Sequence, residues 1–223
     1  MLIYAGIDLL RGLAVTLQLA ALVLVIGVVC GTFCGVLYVW GGVVVRTMLL
    51  VLIFLARGIP LLVQIFAVFF ILPLMGLRFS GFTSAAIALS IFATATITEI
   101  VRAGIEGVPS GQLQAAVSVG FRYWAAVHTI VLPQAFRSIL PPLVTQLVFL
   151  IKSTSLLSLV GVSDLMYAGR EVIERTLLGF EVMALLWITY TAICYPLTVL
   201  GRRLERSAQP GFSSRLSTVT NNA

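Results

Sequence analysis

Charged side chains are scarce in this chain: they make up 10% of its 223 residues, whereas hydrophobic side chains make up 60%. Soluble domains carry about 25% charged residues, and the mean hydropathy here is strongly positive, +1.12. The composition therefore excludes an ordinary soluble domain and indicates an integral membrane protein. A span needs about 20 apolar residues, so the chain has room for several spans and none for a separate catalytic or sensory domain.

Several chemical motifs are also missing. The chain has no GxxxxGK[ST] phosphate loop, and its only lysine, Lys152, stands in a different context. It contains neither an HExxH nor a GxSxG motif. Cys30 and Cys34 share a helical face without a further ligand beside them, so we expect buried thiols there. We therefore expect no catalytic residue, no metal site, no cofactor and no ATPase site in this chain.

The positions of the charges mark where the spans can lie. Four intervals contain no charge, and they run from Arg11 to Arg46, Arg57 to Arg78, Arg78 to Glu99 and Glu181 to Arg202. A fifth candidate runs from residue 138 to residue 163 and includes Lys152. The sequence predicts an all-α integral membrane protein with about five transmembrane helices, and four is the alternative.

Arginines collect in two short segments, and this sets the orientation. The C-terminal tail has four arginines against one glutamate, and residues 102–137 have three against one. Both segments belong in the cytoplasm by the positive-inside rule. With five spans, the N-terminus and residues 164–181 then face outward. The net charge of +6 thus reflects topology, and we expect no nucleic-acid partner, because basic and aromatic residues do not cluster.

A polar segment interrupts the apolar sequence at residues 111–133, which read GQLQAAVSVGFRYWAAVHTIVLP. A Pro-Ser-Gly stretch breaks the chain before it, and residues 112–119 are good helix sequence. Gly120 permits a turn, and residues 121–130 can form a second short helix that ends near Pro133. The segment therefore predicts a helix, a turn and a helix at the cytoplasmic face.

This segment also carries more apolar side chains than a solvated loop needs, namely Phe121, Tyr123, Trp124 and Val127. Together they suit a knob that inserts into a groove on a partner protein. Ala115 and Ala116 keep one side of that knob thin. An amphipathic helix lying on the lipid surface would have a similar composition, so the residues alone leave both interpretations open.

The spacing of Ala115-Ala116, Gly120, Ile130 and Leu132-Pro133 resembles the EAA loop of the membrane subunits of bacterial ABC importers. Four stretches also resemble the polar amino acid branch of these permeases, in the same order. They are RGIPLLVQIF at 57–66, EIVRAGIEGVPSGQ at 99–112, LPQAFRSILPPL at 132–143 and KSTSLLSLVGVSDL at 152–165. The resemblance covers residues 12–206.

The resemblance implies a type I ABC importer permease fold in the bacterial cytoplasmic membrane, with a cytoplasmic coupling helix. Residues 1–206 would form one transmembrane domain with its coupling loop at about 103–135, and residues 207–223 a disordered cytoplasmic tail. The implied partners are two ATP-binding subunits that hold ATP and Mg, a second permease, and a soluble or lipid-anchored amino acid binding protein. The second permease would be a copy of this chain or a homologue.

Residues for docking the ATPase follow from the same resemblance. They are Gln112, Gln114, Ala115, Ala116, Gly120, Phe121 and Trp124. The chain departs from the family at Gln114, which stands where the motif has its glutamate. A neutral hydrogen bond would replace a charged contact there.

Two further departures bear on the substrate. Thr145-Gln146 stands where many relatives have Asn-Glu, and Ser153 where they have Asp. A cationic substrate would need a carboxylate, whereas an acidic or amide substrate is favoured by amides, hydroxyls and nearby cations. We therefore expect a substrate path with Thr145, Gln146, Lys152 and Ser153, and an acidic amino acid, glutamate or aspartate, as the substrate.

Charged residues at the ends of spans need a separate explanation. Arg57, Arg102 and Lys152 are expected near cytoplasmic ends, where their side chains reach the surface. Glu99 either pairs with Arg102, three residues away, or contributes to gating along the path. A secondary transporter, or a membrane scaffold or sensor that only borrowed the fold, remains the alternative to a permease.

Overall fold

The computed structural model describes residues 2–208, and within this range the chain is helical and contains no strand. The helices are α1 (Leu2–Trp40), α2 (Val43–Gly58), α3 (Leu61–Leu74), α4 (Gly81–Glu106), α5 (Ser110–Ser118), α6 (Tyr123–Ala126), α7 (Leu132–Ser153), α8 (Leu165–Thr176) and α9 (Gly179–Ala208). A π turn (Val127–Val131) joins α6 to α7, and a 3-10 turn (Thr154–Val160) follows α7. All but the first two residues of the expected 207–223 tail lie outside the described range.

Four helical stretches in the described residues are long and apolar enough to cross a membrane: Gly6–Trp40, Gly81–Glu106, Tyr123–Val160 and Gly179–Ser207. Helices α2 and α3 pass the same test only as a pair, bent by 98° at the break between them, and count as a fifth span if the pair crosses as one. The expected all-helical fold with four to five apolar spans is confirmed. The bend was not expected, because the apolar stretch between Arg46 and Arg57 is too short to span alone and gives no separate signal.

The side chain of Gln64 provides hydrogen bonds to backbone carbonyl groups at this bend. Its amide nitrogen donates hydrogen bonds to the carbonyl oxygens of Ala56, at 2.5 Å, and Ile59, at 2.8 Å. Pro60 lies between the two helices and has no N–H of its own to offer. Backbone carbonyls at membrane depth need a donor from the protein, so Gln64 allows the chain to break between α2 and α3.

Helices α1 and α4 pack closely through a row of glycines. A Cβ atom on Gly31 would lie 2.8 Å from Cβ of Ile97, and one on Gly35 would lie 2.7 Å from Cγ1 of Val101. Gly27 approaches α4 in the same way. Small residues at this spacing let helix backbones approach closely in a membrane.

The two ends of α1 contact opposite ends of the molecule. Near its start, Thr16 accepts a hydrogen bond from the backbone N–H of Leu165 at 3.1 Å, and Asp8 pairs with Arg175 of α8 at 3.1 Å. Near its end, Trp40 packs against Trp124 with ring centroids 5.7 Å apart. Helix α8 and the 111–133 segment therefore lie at opposite ends of the bundle, as the charge distribution predicted.

Asp164 caps the N-terminus of α8 from a fully buried position. Its Oδ1 accepts a hydrogen bond from the backbone N–H of Tyr167 at 2.9 Å. Its Oδ2 has no hydrogen-bond partner among the described residues, and the residue is 0% exposed. Burial raises the pKa of this carboxyl from 3.8 to about 6. Ionisation at pH 7 therefore costs the folded state on the order of 3 kcal/mol.

The substitution Asp164→Asn tests this cost, since asparagine caps helices as well as aspartate does. The folded wild-type protein holds the proton more tightly than the unfolded chain, so its stability falls as pH rises from about 4 to about 6. We expect the variant to gain stability relative to wild type over that interval and to keep the gain at pH 7.5. The thermal midpoints of both proteins in detergent, at several pH values, measure this.

Glu174→Gln is the matched control, because Glu174 is an exposed acid on the same helix. Its difference from wild type should change little with pH. A constant deficit of Asp164→Asn at all pH values would show that the carboxylate charge is not costly.

Candidate functional site

The 111–133 segment folds into two short helices joined by a tight turn. The N–H of Phe121 donates to the carbonyl of Ala116 at 3.1 Å, and the N–H of Gly120 donates to that of Val117 at 3.0 Å. Gly120 has φ +95°, a conformation that side chains with a Cβ rarely adopt. The predicted first helix and the predicted turn at Gly120 are therefore present.

The second helix does not end near Pro133, so that expectation is wrong. Helix α6 continues through the π turn into α7 without a break from Tyr123 to Val160. A proline ring in a regular α-helix clashes with the carbonyl four residues earlier. Here that carbonyl, of Thr129, lies in the wider π turn. The second half of the polar segment and the membrane span consequently form one continuous helix, Tyr123–Val160, which we call the rod.

Two contacts fix this segment to the spans. The indole N–H of Trp40 donates to the hydroxyl of Tyr123 at 3.2 Å, at the end of α1. The side-chain amide of Gln134, at the start of α7, donates to Oε1 of Gln112 at 2.5 Å. A displacement of the segment is therefore passed to α1 and α7 together.

Most of the residues proposed for docking are on the surface. Phe121 is 44% exposed and Trp124 is 56% exposed. The other exposed members of the set are Gln112, Gln114, Ala115 and Gly120. Ala116 differs from them in being buried, at 5% exposed. Val127 is 2% exposed, and its expected place on the knob is wrong because the helix turns it inward.

A cleft of about 740 Å³ opens between α4, α7 and α9. Its lining includes Thr96, Ser138, Thr145, Gln146, Thr198 and Arg202. A smaller cleft of about 370 Å³, which contains Arg57 and Glu99, shares four lining residues with it. The two therefore form one continuous space, which we call the central cleft.

Gln146 is the most informative residue in the central cleft. It is 5% exposed, and its Nε2 has no hydrogen-bond acceptor among the described residues. The neighbouring Thr145 hydroxyl donates to the carbonyl of Pro141 at 3.3 Å. A buried donor without a partner costs about 1–3 kcal/mol. Gln146 thus has an unused hydrogen-bond donor beside the cleft.

Glu99 lies at the centre of a chain of ion pairs. It contacts Arg57 of α2 at 3.1 Å and Arg102 at 3.1 Å, and Arg102 contacts Glu106 at 2.8 Å. The expected pairing with Arg102 is confirmed. Arg57 was expected only to reach the surface; it in fact binds the carboxylate of Glu99, and this pair links α2 to α4.

Two residues predicted for the substrate path lie outside the central cleft. The hydroxyl of Ser153 donates to the carbonyl of Phe149 on its own helix at 2.8 Å. Lys152 is exposed at the end of α7, about 30 Å along the helix from Leu132. Its expected position near the cytoplasmic end is therefore wrong, because α7 runs away from the 111–133 segment.

Sequence reasoning missed Thr96 of α4 and the contribution of α9 to the cleft. Thr96 lines both parts of it, while Thr198, Arg202 and Glu205 enter from α9. These residues are far apart in the sequence. Hydroxyl groups on otherwise apolar spans were the one signal that could have found Thr96 and Thr198.

Comparisons with known proteins agree on a family. Residues 27–210 match the family described as "Binding-protein-dependent transport system inner membrane component". A solved structure of an amino acid ABC transporter with histidines superposes with a TM-score of 0.86 and 29% sequence identity. The match covers 92% of this chain and 96% of that one. The expected fold is therefore confirmed.

Two relatives are named for glutamine. The probable glutamine ABC transporter permease protein GlnM of Bacillus subtilis (strain 168) is 42% identical over 68% of this chain and 72% of its own length. The glutamine transport system permease protein GlnP of Escherichia coli (strain K12) is 34% identical over 89% of this chain and 91% of its own. Other Bacillus subtilis relatives are named for arginine and L-cystine transport.

The ion pair between Arg57 and Glu99 should couple α2 to α4 measurably. We expect Arg57→Gln and Glu99→Gln each to lower the thermal midpoint in detergent. The double variant should lose less than the sum, with a coupling energy of about 1 kcal/mol for a pair that is partly exposed.

Arg78→Gln provides the control for this cycle, because Arg78 is exposed in the segment between α3 and α4. Its effect should simply add to that of Glu99→Gln. If the effects of Arg57→Gln and Glu99→Gln also add in the double variant, the pair does not hold the two helices together.

Proposed function

This chain belongs to the family of inner-membrane components of binding-protein-dependent transport systems, and we propose that it passes glutamine through its central cleft. It is the permease subunit of an amino acid ABC importer, a multi-pass protein of the cytoplasmic membrane. Such permeases lack an ATPase site and work with ATPase subunits and a second permease. The substrate, the docking residues and the delivery route are the proposed parts.

The unpartnered amide of Gln146 carries the substrate proposal. Gln146 lines the central cleft, and its buried Nε2 has no acceptor among the described residues. The α-carboxylate of any amino acid would supply that acceptor, but only a side-chain carboxamide or carboxylate would supply it from the part of the substrate that sets specificity, and a cationic side chain would not. This favours glutamine, glutamate or aspartate over arginine or lysine.

The charges around the cleft favour the neutral amino acid among these. Glu99 is paired with Arg57, and Arg202 and Glu205 line the cleft together, so each carboxylate comes with a cation. Lys152, which would have attracted an acidic substrate, lies elsewhere. The names of two relatives support glutamine as well. Glutamate or aspartate, the substrates expected from the sequence, remain the second candidates, supported by Arg202.

Coupling to ATP hydrolysis would use the rod from Tyr123 to Val160. We propose that the ATPase subunit binds the exposed surface of Gln112, Gln114, Ala115, Phe121 and Trp124. Closure of the ATPase dimer on ATP and Mg would then pull these segments, and the rod would carry Gln146 with it. The switch between inward-facing and outward-facing states would be a rigid-body movement of this kind. A soluble or lipid-anchored binding protein would deliver the amino acid on the α8 side.

The substitution Gln146→Leu tests the substrate site in the complex reconstituted with its ATPase, its second permease and its binding protein. Loss of one buried hydrogen bond should raise the glutamine concentration for half-maximal uptake about five- to ten-fold. Gln18→Leu is the control, because Gln18 is exposed on α1 outside the cleft.

Uptake of glutamine, glutamate, aspartate and arginine by the wild-type complex then separates the candidates. Preference for glutamine supports the amide assignment. Preference for an acidic amino acid supports the second candidates, glutamate and aspartate. Uptake of arginine alone contradicts the role of Gln146 as a donor to the substrate side chain.

The docking proposal is tested at the turn. Gly120→Ala places a Cβ at φ +95°, which costs about 1–2 kcal/mol of strain and distorts the turn. We expect substrate-stimulated ATP hydrolysis to fall about three-fold or more. Gly111→Ala is the control, because a Cβ there meets nothing within 4 Å and Gly111 lies in a regular helix. Equal activity of both variants would remove the turn from the coupling surface.

A further inference from the structure

A second opening lies on the other side of α4, between α1, α2 and α4. This groove has a volume of about 670 Å³ and includes Ile26, Cys30, Cys34, Ile53, Ala56 and Thr98 in its lining. Among the described residues that form it, none is charged. It shares no lining residue with the central cleft, so the groove is separate from the proposed substrate site.

Helix α2 contributes little of its own surface to the packing here. Ile53 alone among residues 43–58 is buried. Met48 is 64% exposed and Leu52 is 61% exposed. The groove therefore separates α2 from the tightly packed pair of α1 and α4, and an apolar ligand in it would fill the space between them.

A cluster of cationic side chains lies one helical turn beyond the cytoplasmic end of this groove. Tyr38 follows Cys34 by one turn, and Arg102 follows Thr98 by one turn. The Cζ atoms of Arg46 and Arg102 lie 5.4 and 5.2 Å from the centre of the Tyr38 ring. The aromatic ring therefore holds two guanidinium groups at the mouth of an apolar groove.

Arg46 is the cation of this cluster that is available to a ligand. Its Nε and Nη2 donate to the carbonyls of Tyr38 and Val39 at 3.3 and 3.4 Å, and it is exposed. Arg102 is already paired with Glu99 and Glu106. Within the described part of the chain, Arg46 has no carboxylate partner. An anion bound at this position would neutralise the charge of Arg46, which no carboxylate of the described residues does.

We propose that one anionic phospholipid of the cytoplasmic leaflet binds here, with an acyl chain in the groove and its phosphate on Arg46. An apolar groove at membrane depth that ends at a free arginine matches both parts of such a lipid. The cytoplasmic leaflet supplies anionic lipids, which attract arginine near its surface. The bound lipid would pack α2 against α1 and α4. This site does not depend on which amino acid is carried.

Native mass spectrometry of the assembled transporter in mild detergent tests the proposal. The delipidated complex is titrated with phosphatidylglycerol and, separately, with phosphatidylcholine. We expect phosphatidylglycerol to bind the wild-type complex preferentially, and Arg46→Gln to weaken that binding about five-fold. Arg203→Gln, an exposed cytoplasmic arginine outside the groove, should bind as the wild type does.

A second variant tests the groove itself. Ala56→Phe fills it from α2 and should weaken phosphatidylglycerol binding while the complex still assembles. If Ala56→Phe instead prevents the two permeases from pairing and leaves lipid binding unchanged, a helix of the second permease occupies the groove and the proposal is wrong. Equal binding by wild type, Arg46→Gln and Ala56→Phe also overturns it, because the lipid would then be bound without this site.

Discussion

The unbroken helical path from Tyr123 to Val160 is the element on which the rest of the structure depends. Backbone polar groups at membrane depth must be satisfied within the protein, yet this path contains Pro133, Pro141 and Pro142. The π turn accommodates the first proline. The other two remove N–H donors beside the central cleft. The rod is therefore continuous at its cytoplasmic end, and beside the central cleft it has fewer backbone hydrogen bonds.

This rod explains how a cytoplasmic surface and a substrate site belong to one mechanism. Gln134 and Trp40 fix the exposed turn to the bundle, and Gln146 lies farther along the same rod as Gln134. On the opposite face of α4, glycines bring α1 within contact distance. We propose that the open cleft allows α7 and α9 to move relative to α1 and α4 when the permease switches between its two states.

The sequence was sufficient for the features that depend on local pattern. Charge-free intervals indicated where the spans lie. Gly120 predicted the turn because few other residues adopt its conformation. The features that the sequence did not reveal depend on three-dimensional context. Gln64 supports a bend that only the folded chain contains, and Lys152 was misplaced because its distance along α7 from the cytoplasmic segment was not taken into account.

We propose that a polar amino acid binds in the central cleft against Gln146. An experimental structure of the assembled transporter with glutamine bound would test this binding site. We expect ligand density within hydrogen-bond distance of Nε2 of Gln146, beside Thr145 and bounded by α4 and α9. Density for the amino acid elsewhere, with the Gln146 amide still without a partner, would contradict it.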